Sequence, residues 1–297
     1  MRRVHGILSI ASLILGMASP ALASDYDLQN VPVLRGSAQP PAPVYSVGPA
    51  TFTRWSGFYF GGNVSVGSAT SDFSTATRPL VHTSLQHLTV EDQATPSAFE
   101  VLGRGSSVAA GGGAFLGYNT QWQDLVLGVE TTYTHTNLNT TAPSTPVARV
   151  YPGLNTQVGV AATGFLNLTD FGTLRGRAGY VLGNFLPYGF IGMAVGRANY
   201  NVSTVADVTQ SSVTSGKPDY SCVGTNSGTT TCSDAIFPNS AGQSSALLWG
   251  YTVGAGLDWA VTRNIFVRGE FEFVQFAPIS NIAVSVASGR VGGGLKF

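Results

Sequence analysis

Residues 251–273 read YTVGAGLDWAVTRNIFVRGEFEF, and in both halves of this stretch the apolar residues fall on every second position. In 251–261, Tyr251, Val253, Ala255, Leu257, Trp259 and Val261 share one face, while Thr252, Gly254, Gly256, Asp258 and Ala260 share the other. In 265–273, Ile265, Val267, Gly269, Phe271 and Phe273 oppose Phe266, Arg268, Glu270 and Glu272. A period of two belongs to an extended strand rather than a helix. Residues 262–264 leave room only for a tight turn between the two runs. The stretch reads as a β-hairpin with one apolar face and one face of glycine, threonine and charge.

The pattern recurs outward from this hairpin. Leu125, Leu127, Val129, Thr131 and Tyr133 oppose Val126, Gly128, Glu130 and Thr132; Leu174, Gly176, Ala178 and Tyr180 oppose Arg175, Arg177 and Gly179. No long window carries apolar residues at three-to-four spacing, so no helix is expected. Strands are expected near 56–67, 107–120, 125–137, 168–181, 186–200, 246–260, 265–276 and 283–297. The connections at 121–124, 182–185 and 262–264 are tight. Those at 68–106, 138–167 and 201–245 are long, and only the last of that set, 277–282, is short. Short turns on one side and long loops on the other are the pattern of a bacterial transmembrane barrel, and an even strand number puts both ends of the barrel on the short-turn side.

Composition points the same way. Of 297 residues, 10% are charged and 43% hydrophobic, with 37 glycines and a formal net charge of zero, where a soluble domain is about 25% charged. The only lysines are Lys217 and Lys296, too little basic charge to neutralise a nucleic-acid backbone. The hydrophobicity is too high for a disordered chain, and two cysteines are too few for a disulfide-built miniprotein. Aromatic residues near strand ends, Tyr133, Tyr180, Tyr188, Tyr200, Tyr251 and Trp259, fit the girdles found at bilayer interfaces. A sheet in hydrocarbon must close so that its backbone satisfies its own hydrogen bonds. The expected fold is all-β: an eight-stranded antiparallel transmembrane β-barrel with short periplasmic turns and long extracellular loops.

Residues 1–23 carry Arg2-Arg3, an apolar run and Ala21-Leu22-Ala23, the pattern of a cleaved secretory signal peptide. The run is about a dozen residues, too short to cross roughly 30 Å of hydrocarbon as a helix. Its removal would leave 15 acidic against 13 basic residues, a net charge of −2. Residues 24–54, with five prolines and no period, read as an extended periplasmic linker, and 55–297 as the barrel. Export to an oxidising compartment allows Cys222 and Cys232 to pair as a disulfide.

The chain ends Arg290-Val-Gly292-Gly-Gly-Leu295-Lys-Phe297. Arg290, Gly292, Leu295 and the terminal Phe297 resemble the signal by which outer-membrane barrels are recognised by their assembly machinery. The stretches WSGFYFGGN at 55–63, GYNTQW at 117–122 with LGVE at 127–130, and TLRGRAGY at 173–180 with LPY at 186–188 resemble the small alphaproteobacterial outer-membrane proteins. These are major surface antigens of porin-family type with an eight-stranded OmpA-like barrel. The resemblance covers most of 55–297 except the long loops. It implies outer-membrane location, contact with membrane lipid and with the assembly machinery, and a surface ligand or host partner reached through the loops.

An eight-stranded barrel is narrow enough for side chains to fill. Glu130, Arg175, Arg177, Asp258, Arg268, Glu270, Glu272, Arg290 and Lys296 are expected to form an interior ion-pair network that blocks water flow. The alternative is a selectivity ring in a narrow pore for small solutes. Glu270 and Glu272 point inward, where a substrate cannot easily arrive, so no catalytic residue is expected. Loop residues His82 and His87, with His135 at the outer end of its strand, leave open a surface site for haemin or a metal; the plainer reading is three exposed histidines. No resident cofactor is expected. Gly111–Gly113 lacks the strand–turn–helix context of a dinucleotide loop. The function expected is a structural and surface-interaction role in the bacterial envelope; a narrow porin or a surface haemin or host-molecule binder remains open.

Overall fold

The computed structural model describes residues 53–211 and 232–297. The expected signal peptide, nearly all of the linker and Cys222 lie outside them. The strands are β1 (Gly57–Asp72), β2 (Arg104–Trp122), β3 (Leu125–Thr141), β4 (Val147–Tyr151), β5 (Thr156–Tyr180), β6 (Phe185–Ser211), β7 (Cys232–Ala260), β8 (Ile265–Ile279) and β9 (Ile282–Lys296). All pairings are antiparallel. The pairing of β1 with β9 and of β3 with β5 closes eight of them into a ring, and the short β4 hangs on the outer end of β5. This is the expected eight-stranded barrel, with a ninth strand outside the ring.

The strands overrun their expected lengths. Much of 138–167 and 201–245, read as loop, is strand. The 68–106 connection holds α1 (Arg78–Leu85) and α2 (Thr89–Ala94), correcting the expectation of no helix. The turn between β8 and β9 is two residues, Ser280 and Asn281, both at positive φ. That backbone matches the twist of the flanking strands.

Outward-facing side chains are apolar over the middle of each strand. On β3 they run Leu125, Leu127, Val129, Thr131 and Tyr133, all exposed, with Thr131 the polar member of the row. Nine residues at about 3.3 Å each, tilted by about 40°, make a band roughly 23 Å tall, the height of a membrane barrel's apolar belt. Tyr133, Trp249 and Tyr251 stand at its outer edge, and Trp122, Tyr180, Trp259 and Phe297 at its periplasmic edge. Tyr188 and Tyr200, expected in the girdles, are buried and face inward.

Inside, three layers stack along the axis. The periplasmic end is sealed by Trp55, Tyr59, Phe115, Val126, Val181, Leu186, Ala260 and Phe266. A charged layer follows. The outer end holds a larger apolar core, in which Leu85 of α1 packs with Phe73, Leu138, Leu166, Leu168, Val202, Phe276 and Ile282. Above the membrane band the strands thus turn their apolar face inward. Irregularities mark the change: pairing shifts at 135–138 of β3, 168–170 of β5, 198–200 of β6 and 276–279 of β8. On β5 the extra residue reverses the parity. Phe171, Thr173, Arg175 and Arg177 face in below it, and Leu168, Leu166, Ala162 and Val160 above.

Candidate functional site, a buried ionic core

The register brings opposite charges face to face on the inner wall. Glu130 of β3 is directly across from Arg175 of β5, Asp258 of β7 from Arg268 of β8, and Glu270 of β8 from Arg290 of β9. Opposed residues on one face of antiparallel strands have their Cβ atoms about 5 Å apart, and the barrel's curvature brings the pairs together across the lumen. Four arginines meet four carboxylates, all buried.

Glu130 is the hub. Its Oε1 accepts from Arg175 Nε (3.0 Å) and Nη2, and its Oε2 from Arg268 Nη1 (2.8 Å), Arg177 Nη1 (3.2 Å) and the Tyr59 hydroxyl (2.6 Å). Arg175 also reaches Glu270, with Nη1 to Oε1 at 2.7 Å and Nη2 to Oε2 at 2.6 Å, and Glu272 Oε1 at 3.3 Å. Asp258 accepts Arg268 Nε at 2.8 Å and Arg177 Nη2 at 2.7 Å. Arg290 donates to Glu272 and lies 3.8 Å from Glu270 Oε1. The arrangement leaves no carboxylate without a guanidinium.

Neutral groups complete the site, and the sequence did not single them out. Tyr188 donates to Glu270 Oε2 at 2.8 Å and Thr252 to Glu272 Oε1 at 2.9 Å. Arg177 stacks 3.8 Å from the Tyr188 ring, Arg175 4.0 Å from Phe190 and Arg268 4.3 Å from Phe115, contacts that favour a desolvated cation. Space for these rings comes from glycine. Tyr59, Phe115, Tyr188, Phe190 and Phe266 are each paired directly across from Gly117, Gly61, Gly256, Gly254 and Gly294. A Cβ at Gly256 would lie 2.6 Å from the Tyr188 ring, and one at Gly294 2.5 Å from Phe266. The signal that could have found these rings is inward parity shared with the charges and a glycine across the strand pair.

Lys296 stands apart. It is paired across from Tyr59, a layer below the carboxylates. Its Nζ donates to the Arg54 carbonyl at 2.9 Å and lies 4.1 Å from the Trp55 ring centre; it makes no ion pair among the described residues. Of the other singled-out C-terminal residues, Arg290 faces in, while Leu295 and Phe297 face out, Phe297 stacking 5.8 Å from Phe60. The histidines are dispersed. His82 on α1 bonds Glu91 at 3.1 Å and His135 bonds Asp170 at 2.8 Å on the outer wall. No group of three metal-ligating side chains occurs among the described residues. The Cys222–Cys232 pair lies outside the described side chains.

Among solved structures, the chain is similar to Neisserial surface protein A (14% identity, TM-score 0.36), with 82% of this chain and 98% of that one covered. It is also similar to Ail, the attachment invasion locus protein of Yersinia pestis (11%, TM-score 0.31, 82% and 99% covered). A third is OprG of Pseudomonas aeruginosa (11%, TM-score 0.33, 82% and 96% covered). No curated protein matches. The outer membrane protein β-barrel domain model matches residues 41–292. The chain therefore belongs to the outer membrane protein β-barrel family, and its closed, lipid-belted ring is a barrel of the bacterial outer membrane.

Proposed function

We propose that this protein is a non-conducting structural barrel of the surface-antigen type found in alphaproteobacteria, stabilising the envelope and presenting its outer end to other molecules. Residues 1–23 direct export and are removed, 24–54 tether the barrel on the periplasmic side, and a Cys222–Cys232 disulfide staples the β6–β7 loop. The family-type assignment is supported by the stretches at 55–63, 117–130 and 173–188. The role is not catalytic: Glu270 and Glu272 face into the lumen and are each held by arginine.

The observation that carries the closed reading is the layering itself. A charge-balanced cluster with fixed hydrogen bonds fills the middle of the lumen, and apolar residues close it at both ends. A solute path would have to break several buried ion pairs at once, each leaving an uncompensated charge. The test is single-channel recording in planar bilayers. Purified protein is expected to give no stable conductance steps. Stable, large steps from the unaltered protein would replace this reading with the narrow porin.

A further inference from the structure

Far above the membrane band the ring opens into a tongue of four strands. β8 pairs with β7 only from Gly250 inward, so the outer part of β7 has β6 alone beside it. β2 begins at Arg104, and β4 has β5 alone beside it. The tongue, in the order β4-β5-β6-β7, therefore has two edges, and the unpaired backbone of an edge invites another strand.

The two edges are not alike. On β7, Pro238 has no N–H to offer, the Ser240 N–H bonds the Asn239 side chain at 2.9 Å, and Ser245 sits at a φ of 55°. Such features blunt an edge. β4 reads Val-Ala-Arg-Val-Tyr, with no proline, no glycine and three good strand formers. Among the described residues its backbone bonds nothing but β5. The direction of its free groups follows from β5. Gly164 turns its carbonyl to the β3 side, where it accepts the Ala142 N–H at 2.8 Å. Alternation along β5 turns Val160, Val158 and Thr156 the same way. Val147, Arg149 and Tyr151, paired across from them, therefore direct their N–H and C=O to β5. Ala148 and Val150 hold theirs toward the open side, and both residues are exposed.

The side chains say what would fit. Val147 and Tyr151 pack partly against the outer apolar core. Arg149, between them on the same face, is exposed, lies 4.9 Å from the Phe99 ring centre and makes no ion pair among the described residues. Opposed side chains on paired strands lie about 5 Å apart. A strand laid along β4 thus meets apolar, cationic and apolar groups at alternate positions. A second copy of this chain is a poor match. Two copies in one membrane are related by an axis along its normal, which keeps both β4 strands running outward and sets Arg149 beside Arg149. β4 also stands well clear of the bilayer. At about 2.5 Å of climb per residue, its partners on β5 lie roughly 30–40 Å beyond Gly172, which faces Tyr133 at the edge of the belt.

We propose that the β4 edge binds an extended acidic segment of another protein, added antiparallel as a fifth strand of the tongue. The segment places a carboxylate across from Arg149 and apolar side chains across from Val147 and Tyr151. Its backbone bonds Ala148 and Val150. This rests on the reading of the outer end as an interaction surface and gives that surface a site and a partner chemistry.

The test uses full-length protein in nanodiscs, titrated with three labelled threonine-rich peptides. The first has glutamate at its centre and valine two positions to either side. The second has lysine in place of the glutamate. The third is the glutamate peptide N-methylated at the two residues flanking the glutamate. Wild type is expected to bind the glutamate peptide about tenfold more tightly than the lysine peptide, and the N-methylated one at least tenfold more weakly. Arg149→Glu is expected to invert the charge preference. Ala148→Pro removes an N–H from the open side and none from the β5 ladder, so it should keep heat-modifiable migration and lose about tenfold in affinity. Ile236→Ala, exposed on β7, should change nothing. Equal binding of the N-methylated peptide would overturn strand addition, and equal binding of the glutamate and lysine peptides would overturn the acidic partner. A peptide-free dimer that Ala148→Pro disperses would give the edge to a second copy and overturn the proposal. Absence of saturable binding would overturn the site while leaving the closed-barrel reading to stand on its conductance test. Arg149→Glu leaves the backbone untouched, so the charge preference decides the matter even without a folded Ala148→Pro protein.

Discussion

Replacing Glu130 with glutamine tests the ionic core at its hub. The substitution keeps shape and removes one charge. Three guanidiniums, those of Arg175, Arg177 and Arg268, lose a common partner, and the amide nitrogen of glutamine would face at least one of them. Arg177 and Arg268 keep Asp258, and Arg175 keeps Glu270 and Glu272, but four cations then share three carboxylates in a site closed to water. Removing one partner of a buried pair costs about 3–5 kcal/mol, or roughly two to nearly four powers of ten in the folding equilibrium. Urea unfolding in lipid vesicles, followed by tryptophan fluorescence, measures this directly, since Trp55 lies in the seal beneath the cluster. The double variant Glu130→Gln with Arg175→Gln restores the balance of charge and should lose less than the sum of the two singles. A Glu130→Gln protein within 1 kcal/mol of wild type, or strict additivity in the double variant, would refute an interdependent core.

Other outcomes follow from the wall and the ends of the barrel. Gly256→Ala should destabilise by about 1–3 kcal/mol, because the new Cβ displaces the Tyr188 ring, whereas Gly269→Ala, with open space around it, should be near neutral in the same unfolding assay. Val129→Arg, in the middle of the apolar belt, should cost about 2–4 kcal/mol, while Asn139→Arg above the belt should cost little; equal costs would misplace the membrane. Deleting Phe297 should lower the amount of heat-modifiable barrel recovered from cells while leaving refolding of purified protein into vesicles nearly unchanged. Cys222 and Cys232 should resist alkylation until a reductant is added, as read by intact mass.

The lipid-facing half of the fold was legible because hydrocarbon imposes a strict rule on every second residue, as in 251–261 and 265–273. The charged residues were legible as a group because inward parity sets them apart from that stripe. What escaped detection lies above the belt. Alternation alone does not say which face meets which solvent, and the Ser, Thr and Asn facing out on β6 and β7 there resemble loop composition. On β5 the extra residue near 169 shifts inward parity from odd to even numbers, so a single period no longer fits the strand. The fit of aromatic residues to a girdle favours Tyr188 and Tyr200 facing out, but Tyr188 has a glycine across from it and a carboxylate to bond, and both are satisfied only inside. Lys296 shares inward parity with the charged cluster, but axial position rather than face decides its partners.

The pairing irregularities also divide the molecule in time. Below them a strand reaches its low-energy state by meeting lipid; above them it does so only by meeting its neighbours and the two helices. Phe73, Leu166, Val202 and Phe276 gain shelter only when the ring carrying them is complete. During insertion these residues cross the bilayer before the enclosure that will hold them exists. The outer half is therefore expected to settle last and to loosen first. Solvent exchange of its backbone amides should be fast while the ring beneath remains shut.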